Sequence, residues 1–207
     1  MNFIRLASLF LFLWSLCRIL KNHSRSIQKQ QEAFWEQERK SNHVRKKPLD
    51  DLVYITIPFD RLPCNSHKDH EIISDCLSTL TILSERKIVN LTCISNTELK
   101  LTYGTANITA LSEYDQNYTL LVTTLQKWAD TLYSLGDING TQSILEYAVS
   151  VDCDITKTYS LLASIYEQKG EHSQISSLLQ TAEGLSSPSG KIIVKKLLEA
   201  YPFLKKE

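Results

Sequence analysis

Apolar residues recur at helical spacing from residue 115 to the C-terminus, and the pattern repeats at an offset of 34 positions. The offset holds in both helices of a predicted helix–turn–helix unit and in the turn between them. Agreement at nine positions is more specific than any single matching pair. The pairs are Leu125 and Tyr159, Trp128 and Leu162, Ala129 and Ala163, Leu132 and Tyr166, Gly136 and Gly170, Asp137 and Glu171, Ile144 and Leu178, Leu145 and Leu179, and Ala148 and Ala182.

The residue types at these positions suit two stacked helical hairpins. Small residues recur where two helices would approach closely, and a glycine follows the first helix of each unit, where a left-handed backbone is least strained without a Cβ. Large side chains are expected to fill the core between those contacts. The small residues are Ala129, Ala148, Ala163 and Ala182, the glycines are Gly136 and Gly170, and the core side chains are Trp128, Tyr159 and Tyr166.

A period of 34 residues with this patterning resembles the tetratricopeptide repeat (TPR), over residues 120–185. The resemblance implies two TPR-like hairpins, at residues 115–186, with a short concave groove that binds a protein or peptide. The proline that usually ends the repeat is replaced near Cys153. Because about three repeats are usually needed for stability, residues 70–115 are expected to pack as an N-terminal cap. Residues 187–207 are expected to form a C-terminal capping helix and tail.

The middle of the chain, residues 48–114, has weaker patterns. Residues 52–59 are rich in β-branched side chains and contain Pro58, which favours an extended run and leaves room for a short β element. Glu71 to Ser84 carries a helix-like apolar stripe. Residues 88–110 alternate only loosely, so two weak strands and an irregular connector both remain open.

The first 20 residues are predominantly apolar and are about long enough, as a helix, to span a hydrocarbon core. We expect a single-pass transmembrane anchor rather than a cleaved signal peptide, because no small-x-small cleavage site follows. Trp14 suits the membrane interface. The basic residues that flank the segment are Arg5, Arg18, Lys21, Arg25 and Lys29.

Residues 21–47 lack glycine and proline and are expected to form a basic helical stem that ends at Pro48. The simpler interpretation is a solvated helix. In the alternative, the stem lies on the membrane, with Phe34 and Trp35 in the interface and its basic residues facing anionic lipid.

Charge is unevenly distributed although the whole chain is neutral. Residues 1–47 carry ten Lys and Arg and three Glu, which is a net charge of +7. Residues 48–207 therefore carry a net charge of −7. Basic residues that flank a transmembrane helix favour the cytoplasmic side. Since most of them follow the anchor, we expect the anchor to lie in the cell membrane and the C-terminal domain to lie in the cytoplasm. Dispersed cysteines, without a disulfide pattern, agree with a reducing compartment. The alternative is an extracytoplasmic scaffold that acts in envelope assembly.

The sequence offers little for chemistry. Cys64, His67, His70 and Cys76 lie close together and suggest a metal site or enzymatic centre, but their spacing matches no familiar zinc motif. No catalytic triad motif or phosphate-binding glycine loop is present, so we expect no enzyme activity, no cofactor and no small-molecule substrate. The basic charge lies outside the folded body, which argues against nucleic-acid binding.

The wider chain also resembles a group of single-pass membrane-anchored proteins from clostridial bacteria, through residues 45–59, 87–92 and 154–159. That resemblance implies a bacterial, membrane-anchored setting and no particular activity. The sequence therefore predicts a mainly α-helical chain with an N-terminal transmembrane helix and stem. Its expected function is that of a membrane-anchored scaffold or adaptor that binds a protein partner.

Overall fold

The computed structural model describes residues 14, 18, 21, 23 and 28–206. The predicted mainly α-helical architecture is confirmed, and the described residues contain no β-strand. The first helix, α1, covers residues 28–42 in its described part. The other helices are α2 (Glu71–Ser84), α3 (Asn96–Tyr103), α4 (Ile108–Ser134), α5 (Ile138–Ser150), α6 (Thr156–Lys169), α7 (His172–Glu183) and α8 (Pro188–Ala200), with 3-10 turns at Thr105–Asn107 and Pro202–Lys206.

No helix in the described part of the chain is both long and apolar enough to cross a membrane. The predicted anchor, residues 1–20, lies outside the described residues apart from Trp14 and Arg18. Those two are helical, and the Arg18 guanidinium lies 5.3 Å from the centre of the Trp14 ring. Of the predicted flanking basic residues, Arg5 and Arg25 also lie outside the described residues.

One compact unit joins α1 and residues 43–48 to the segment Ser95–Ile108. The Glu38 carboxylate accepts hydrogen bonds from Lys100 Nζ and Thr97 Oγ1, so it ties α1 to α3. The Lys100 contact, followed by that of Thr97, lowers the pKa of Glu38 below its ordinary value. The stem was expected to continue to Pro48, but α1 ends at residue 42. The chain leaves the helix there because Lys47 N–H donates to Tyr103 O and Thr105 N–H donates to Val44 O, which aligns residues 44–47 with the turn after α3.

The eight-residue helix α3 lies in the region for which the sequence left two weak strands or an irregular connector open. Its start is a capping box: Ser95 Oγ accepts from Glu98 N–H, and the Glu98 carboxylate accepts from Ser95 N–H. The motif Ser95-x-x-Glu98 is visible in the sequence. Periodicity missed the helix because only Leu99 of its side chains is buried.

The second unit, Leu49–Ile94 with Thr109–Glu207, contains the main hydrophobic core. Helix α5 packs along α6, α6 along both α7 and α8, and α7 along α8. Among the described residues, Trp128 and Tyr159 are the largest fully buried side chains. Helix α2 has the predicted bounds, and its buried residues belong to the same core: Ile73, Cys76, Leu80 and Leu83.

The suggested β element at residues 52–59 is wrong: the segment is extended but forms no strand. A strand needs a ladder of backbone partners, and here Ile55 N–H donates to Ile88 O at 2.9 Å while Tyr147 Oη donates to Thr56 O at 3.1 Å. Ile57 is nevertheless buried in the core. The segment is therefore held by side-chain burial and single hydrogen bonds.

Residues 87–91 form an irregular segment fastened to α4. Leu91 N–H donates to the Asp115 carboxylate, and the buried Asn117 side chain donates to Lys87 O at 3.0 Å. Both contacts are made from α4 at the point where the repeat pattern begins, near residue 115. The helix starts at Ile108 and runs for 27 residues, so residues 108–114 precede the hairpin pattern.

Candidate protein-binding surface

The alanines and large side chains of the 34-residue pattern lie in the core of the second unit, whereas Gly136 and Gly170 are exposed in turns. The alanines and large side chains are at most 6% exposed. Helices α4 and α5 approach closely here: Thr141 Oγ1, which donates to Asp137 O at 2.7 Å, lies 3.5 Å from Ala129 O. These buried residues form the core that positions the surface. They are Trp128, Ala129, Ala148, Tyr159, Ala163, Tyr166 and Ala182.

The two glycines of the pattern end their helices in the same way. Gly136 has φ +83° and Gly170 has φ +73°, which only glycine adopts at little cost. In both turns the glycine N–H donates to the carbonyl three residues earlier, and the next residue donates to the carbonyl five residues earlier. This pairing satisfies the last carbonyls of α4 and α6 and reverses the chain after each helix.

Asp137 connects the first of these turns to the loop before α2. Its carboxylate accepts from Gly140 N–H at the start of α5 and from Ser66 Oγ. The Ser66 hydrogen bond, followed by that of Gly140, lowers the pKa of Asp137 below its ordinary value of 3.8. Glu171 occupies the equivalent place before α7 and makes no side-chain cap there. The Asp137 tether therefore distinguishes the first helical hairpin from the second.

We predict that Asp137→Ala destabilises the protein by about 1–2 kcal/mol near neutral pH, since it removes an N-cap acceptor. A carboxyl with a lowered pKa in the folded state contributes above its unfolded pKa and loses that contribution as the pH falls through the folded pKa. The difference in the free energy of unfolding between the wild type and the variant should thus be constant above about pH 5 and should decrease as the pH is lowered. Urea unfolding at several pH values measures it, with Glu171→Ala as the control. An equal loss for both variants would contradict the prediction.

The loop between α5 and α6 is held from beneath by buried Tyr118, whose role the sequence did not reveal. Its hydroxyl lies within hydrogen-bond distance of Val151 O and Asp152 O, to which it donates. Burial raises the pKa of Tyr118 far above its ordinary value, so the hydroxyl stays protonated as a donor. Asp152 in this loop has φ +58°, and the two hydrogen bonds hold the chain in that left-handed turn.

An open cavity of about 720 Å³ lies where α7 meets α8. Its apolar wall includes half-buried Leu185, Val194 and Leu198, and Lys191 and Lys195 stand at its rim with Glu183 and Glu199. Ser187 adds a polar group that is 7% exposed and whose hydroxyl makes no hydrogen bond within the part of the chain that the structure describes. The volume lies within the usual range for ligand-binding sites.

The cavity residues were not predicted individually, although their spacing contained a signal. Lys191, Val194, Lys195 and Leu198 recur at intervals of three and four, so they share one face of α8. Ile193 and Leu197 occupy the opposite, buried face against the core. Val194 and Leu198 give this face of α8 an apolar part, which lines the cavity beside the exposed Lys191 and Lys195.

A smaller cavity of about 330 Å³ lies among α5, α6 and α7. It is more polar, with Glu146 accepting a hydrogen bond from Tyr166 Oη at 3.0 Å and Asp152 near one end. Burial, followed by the charge of Glu146, raises the pKa of Tyr166, which keeps its hydroxyl protonated. The carboxylate and the phenol already satisfy each other, so this cavity offers fewer free contacts than the one at α8.

The structure does not assemble the four residues of the suggested metal site into a ligand set. No group of three or more His, Cys, Asp or Glu side chains among the described residues could hold a metal ion. Cys76 faces the core, and Cys64 Sγ donates to Phe59 O at 3.5 Å. Burial raises the pKa of both thiols and so disfavours the thiolate that a metal requires. His67 is exposed, whereas His70 Nδ1 is buried without a partner in the described chain.

No protein-family model matches this chain, and no curated protein or solved structure matches it either.

Proposed function

We propose that this protein is a membrane-anchored scaffold that binds another protein through its TPR-like C-terminal module. The observation that carries the proposal is the open cavity at α7 and α8, whose wall contains half-buried apolar side chains of the outer helix. The core positions of the 34-residue pattern support a rigid platform beneath it. The proposal assigns the binding to residues 182–199 and assigns no catalytic role to the chain.

The charge of the C-terminal cap indicates what kind of partner segment fits. Residues 187–207 contain five Lys against two Glu, whereas residues 48–186 contain eight Lys and Arg against eighteen Asp and Glu. The cavity therefore lies beside the basic part of an otherwise acidic body. A partner segment that combines apolar anchors with acidic side chains would match both features, because opposite charge steers association and apolar burial retains the complex.

Site-specific photocrosslinking tests the proposed surface. A photoreactive residue at Lys191, on the cavity rim, should crosslink a discrete partner in cells, and one at exposed Ser78 on α2, which does not line the cavity, should not. Val194→Arg should abolish the Lys191 crosslink by placing a charge in the apolar wall, while circular dichroism shows whether the helices persist. A crosslink at both positions, or one that survives Val194→Arg in a folded protein, would argue against this surface.

The membrane anchor and the cytoplasmic orientation belong to the same proposal. They rest on the apolar character of residues 1–20 and on the basic residues that follow them. Protease digestion of intact cells tests the orientation, with a known external protein as the positive control. Cleavage of the C-terminal domain before the cells are lysed would overturn the cytoplasmic assignment and favour the extracytoplasmic scaffold.

A further inference from the structure

Phe34 and Trp35 form an exposed aromatic pair on α1. They are 53% and 55% exposed, and their rings pack edge to face with centroids 5.4 Å apart. Apart from Ala33, every other residue at positions 28–42 is polar or charged. Two large aromatic side chains, adjacent and uncovered within a polar helix, form a surface that water solvates poorly.

The contacts of α1 within its own unit lie beyond this aromatic pair. One turn after Phe34, Glu38 binds Thr97 and Lys100, and the following turn contains Ser41, which is completely buried. Thr105 Oγ1 donates to Ser41 O at 3.1 Å. The C-terminal turns of α1 therefore support the unit, and the turn that carries the aromatic pair is left for another contact.

The charges around the pair favour an anionic surface. Residues 28–47 carry six Lys and Arg against three Glu, and two of those glutamates are already paired, Glu36 with Lys40 at 2.8 Å and Glu38 with Lys100. Arg39 follows Trp35 by four residues and so lies on the same side of the helix. The exposed basic side chains are Lys29, Arg39, Lys40, Arg45, Lys46 and Lys47.

We infer that α1 lies against an anionic lipid surface, with Phe34 and Trp35 in the interface and the neighbouring basic residues on lipid phosphates. Trp is enriched at membrane interfaces, because its ring is largely apolar and its N–H requires a polar partner. Basic residues close to an anionic leaflet add an attraction that salt screens. The inference rests on the proposed anchor in one respect, since that anchor holds α1 near the bilayer.

A second copy of the chain fits this surface less well. Helices that pair along their length need apolar residues every three or four positions, and the described part of α1, residues 28–42, offers a single apolar turn. Two copies would also bring the same excess of positive charge together. An anionic bilayer provides both the interfacial layer for the rings and the counter-charge for the basic residues.

Trp35 is a built-in reporter of this contact. The chain has three tryptophans, and Trp128 is fully buried, so a Trp14→Phe background leaves Trp35 as the exposed one. The full chain in this background is reconstituted into vesicles of phosphatidylcholine, either alone or with one third phosphatidylglycerol. Trp35 fluorescence is quenched with brominated lipid chains and, separately, with aqueous iodide. The same protein carrying Trp35→Phe supplies the Trp128 background to subtract.

In anionic vesicles we expect a blue-shifted Trp35 emission, strong quenching by brominated lipid and protection from iodide. In neutral vesicles, or in anionic vesicles at high salt, lipid quenching should fall and iodide quenching should rise. Equal lipid quenching in neutral and anionic vesicles would overturn the inference, and so would Trp35 that stays open to iodide in anionic vesicles. Protection from both quenchers would also overturn it, because protein rather than lipid would then cover the ring.

A charge variant tests the electrostatic part with a matched control. Arg39→Gln, Arg45→Gln and Lys46→Gln together should weaken the partition of α1 onto anionic vesicles by on the order of 100-fold, from about 1 kcal/mol per near-surface charge. Arg61→Gln, Lys68→Gln and Arg86→Gln remove the same charge from exposed positions of the other unit and should leave Trp35 quenching unchanged. Equal effects of the two triple variants would reject a local contact. Extraction of the vesicles with alkaline carbonate distinguishes failure of the anchor from failure of the α1 contact. A protein that is extracted lacks the anchor. A protein that is retained, but whose Trp35 is not quenched by brominated lipid, refutes only the contact of α1 with lipid.

Discussion

Replacing Trp128 with alanine is expected to remove about 3–5 kcal/mol of folding stability, a large part of the total for a domain of this size. The side chain is completely buried among residues of α4 and its neighbouring helices. Its removal loses a large apolar surface and leaves a cavity that the packed helices of the array cannot close. Denaturant unfolding followed by far-ultraviolet circular dichroism measures the loss as a lower midpoint with an unchanged slope.

Two further variants make this result interpretable. Trp35→Ala removes an equally large but exposed side chain and should change the stability by no more than about 0.5 kcal/mol. Trp128→Phe retains most of the volume and deletes an indole N–H that has no partner within the described chain, so it should be milder than Trp128→Ala. The packing role of Trp128 would be disproved if Trp128→Ala and Trp35→Ala had similar midpoints.

Replacing Gly104 with alanine should be the most disruptive small substitution in the unit that contains α1 and α3. Gly104 has φ +88° and ψ 149°, a conformation that is essentially restricted to glycine. An added Cβ would lie 2.2 Å from Arg45 O and 2.9 Å from Lys46 Cα, and both of these are backbone atoms that no rotamer change can move. Adding the conformational strain to the cost of shifting the backbone gives about 3–5 kcal/mol.

Hydrogen exchange locates that effect. The amides of Lys47 and Thr105 bond across this contact, so their protection should collapse in Gly104→Ala. Gly136→Ala is the matched control, because its φ is similarly positive, +83°, but nothing lies within 4 Å of the added Cβ. It should cost only about 1 kcal/mol and leave the Lys47 and Thr105 amides protected. If the two variants lose the same stability, the cost of replacing Gly104 comes from strain in φ and not from a clash of the added Cβ with the backbone of Arg45 and Lys46.

Local patterns in the sequence predict most of the helices, but they do not predict the contacts that hold distant segments against those helices. The bounds of α2 follow from its apolar stripe, because burial of one helix face imposes a 3.6-residue period. The repeat indicated two helical hairpins within residues 115–186, where α5, α6 and α7 lie, but it did not give the bounds of each helix. Asp115 and Asn117 look like ordinary polar residues of a long helix, yet they bind the backbone of residues 87–91. No spacing rule reports contacts of that kind, which depend on how two distant segments meet.

The candidate site shows the same division. Trp128, Tyr159 and the four alanines were identifiable because core positions must be apolar, and they must be small where helices approach. Whether Val194 and Leu198 face a core, a partner or solvent was decided by where α7 ends and α8 begins. Likewise, the exposure of Phe34 and Trp35 depends on α3 reaching the last turns of α1 and no further.

By itself the sequence determined that the chain is mainly helical, that its C-terminal half repeats after 34 residues, and that its basic charge precedes an acidic body. Each of these is a property of neighbouring residues, expressed in periodicity, turn chemistry and charge. Only the tertiary structure decided that residues 52–59 find no strand to pair with, that Gly104 meets the backbone of Arg45, and that α8 leaves an apolar cavity open. These features depend on distances between segments far apart in the chain, which the packing of side chains sets and local pattern does not encode.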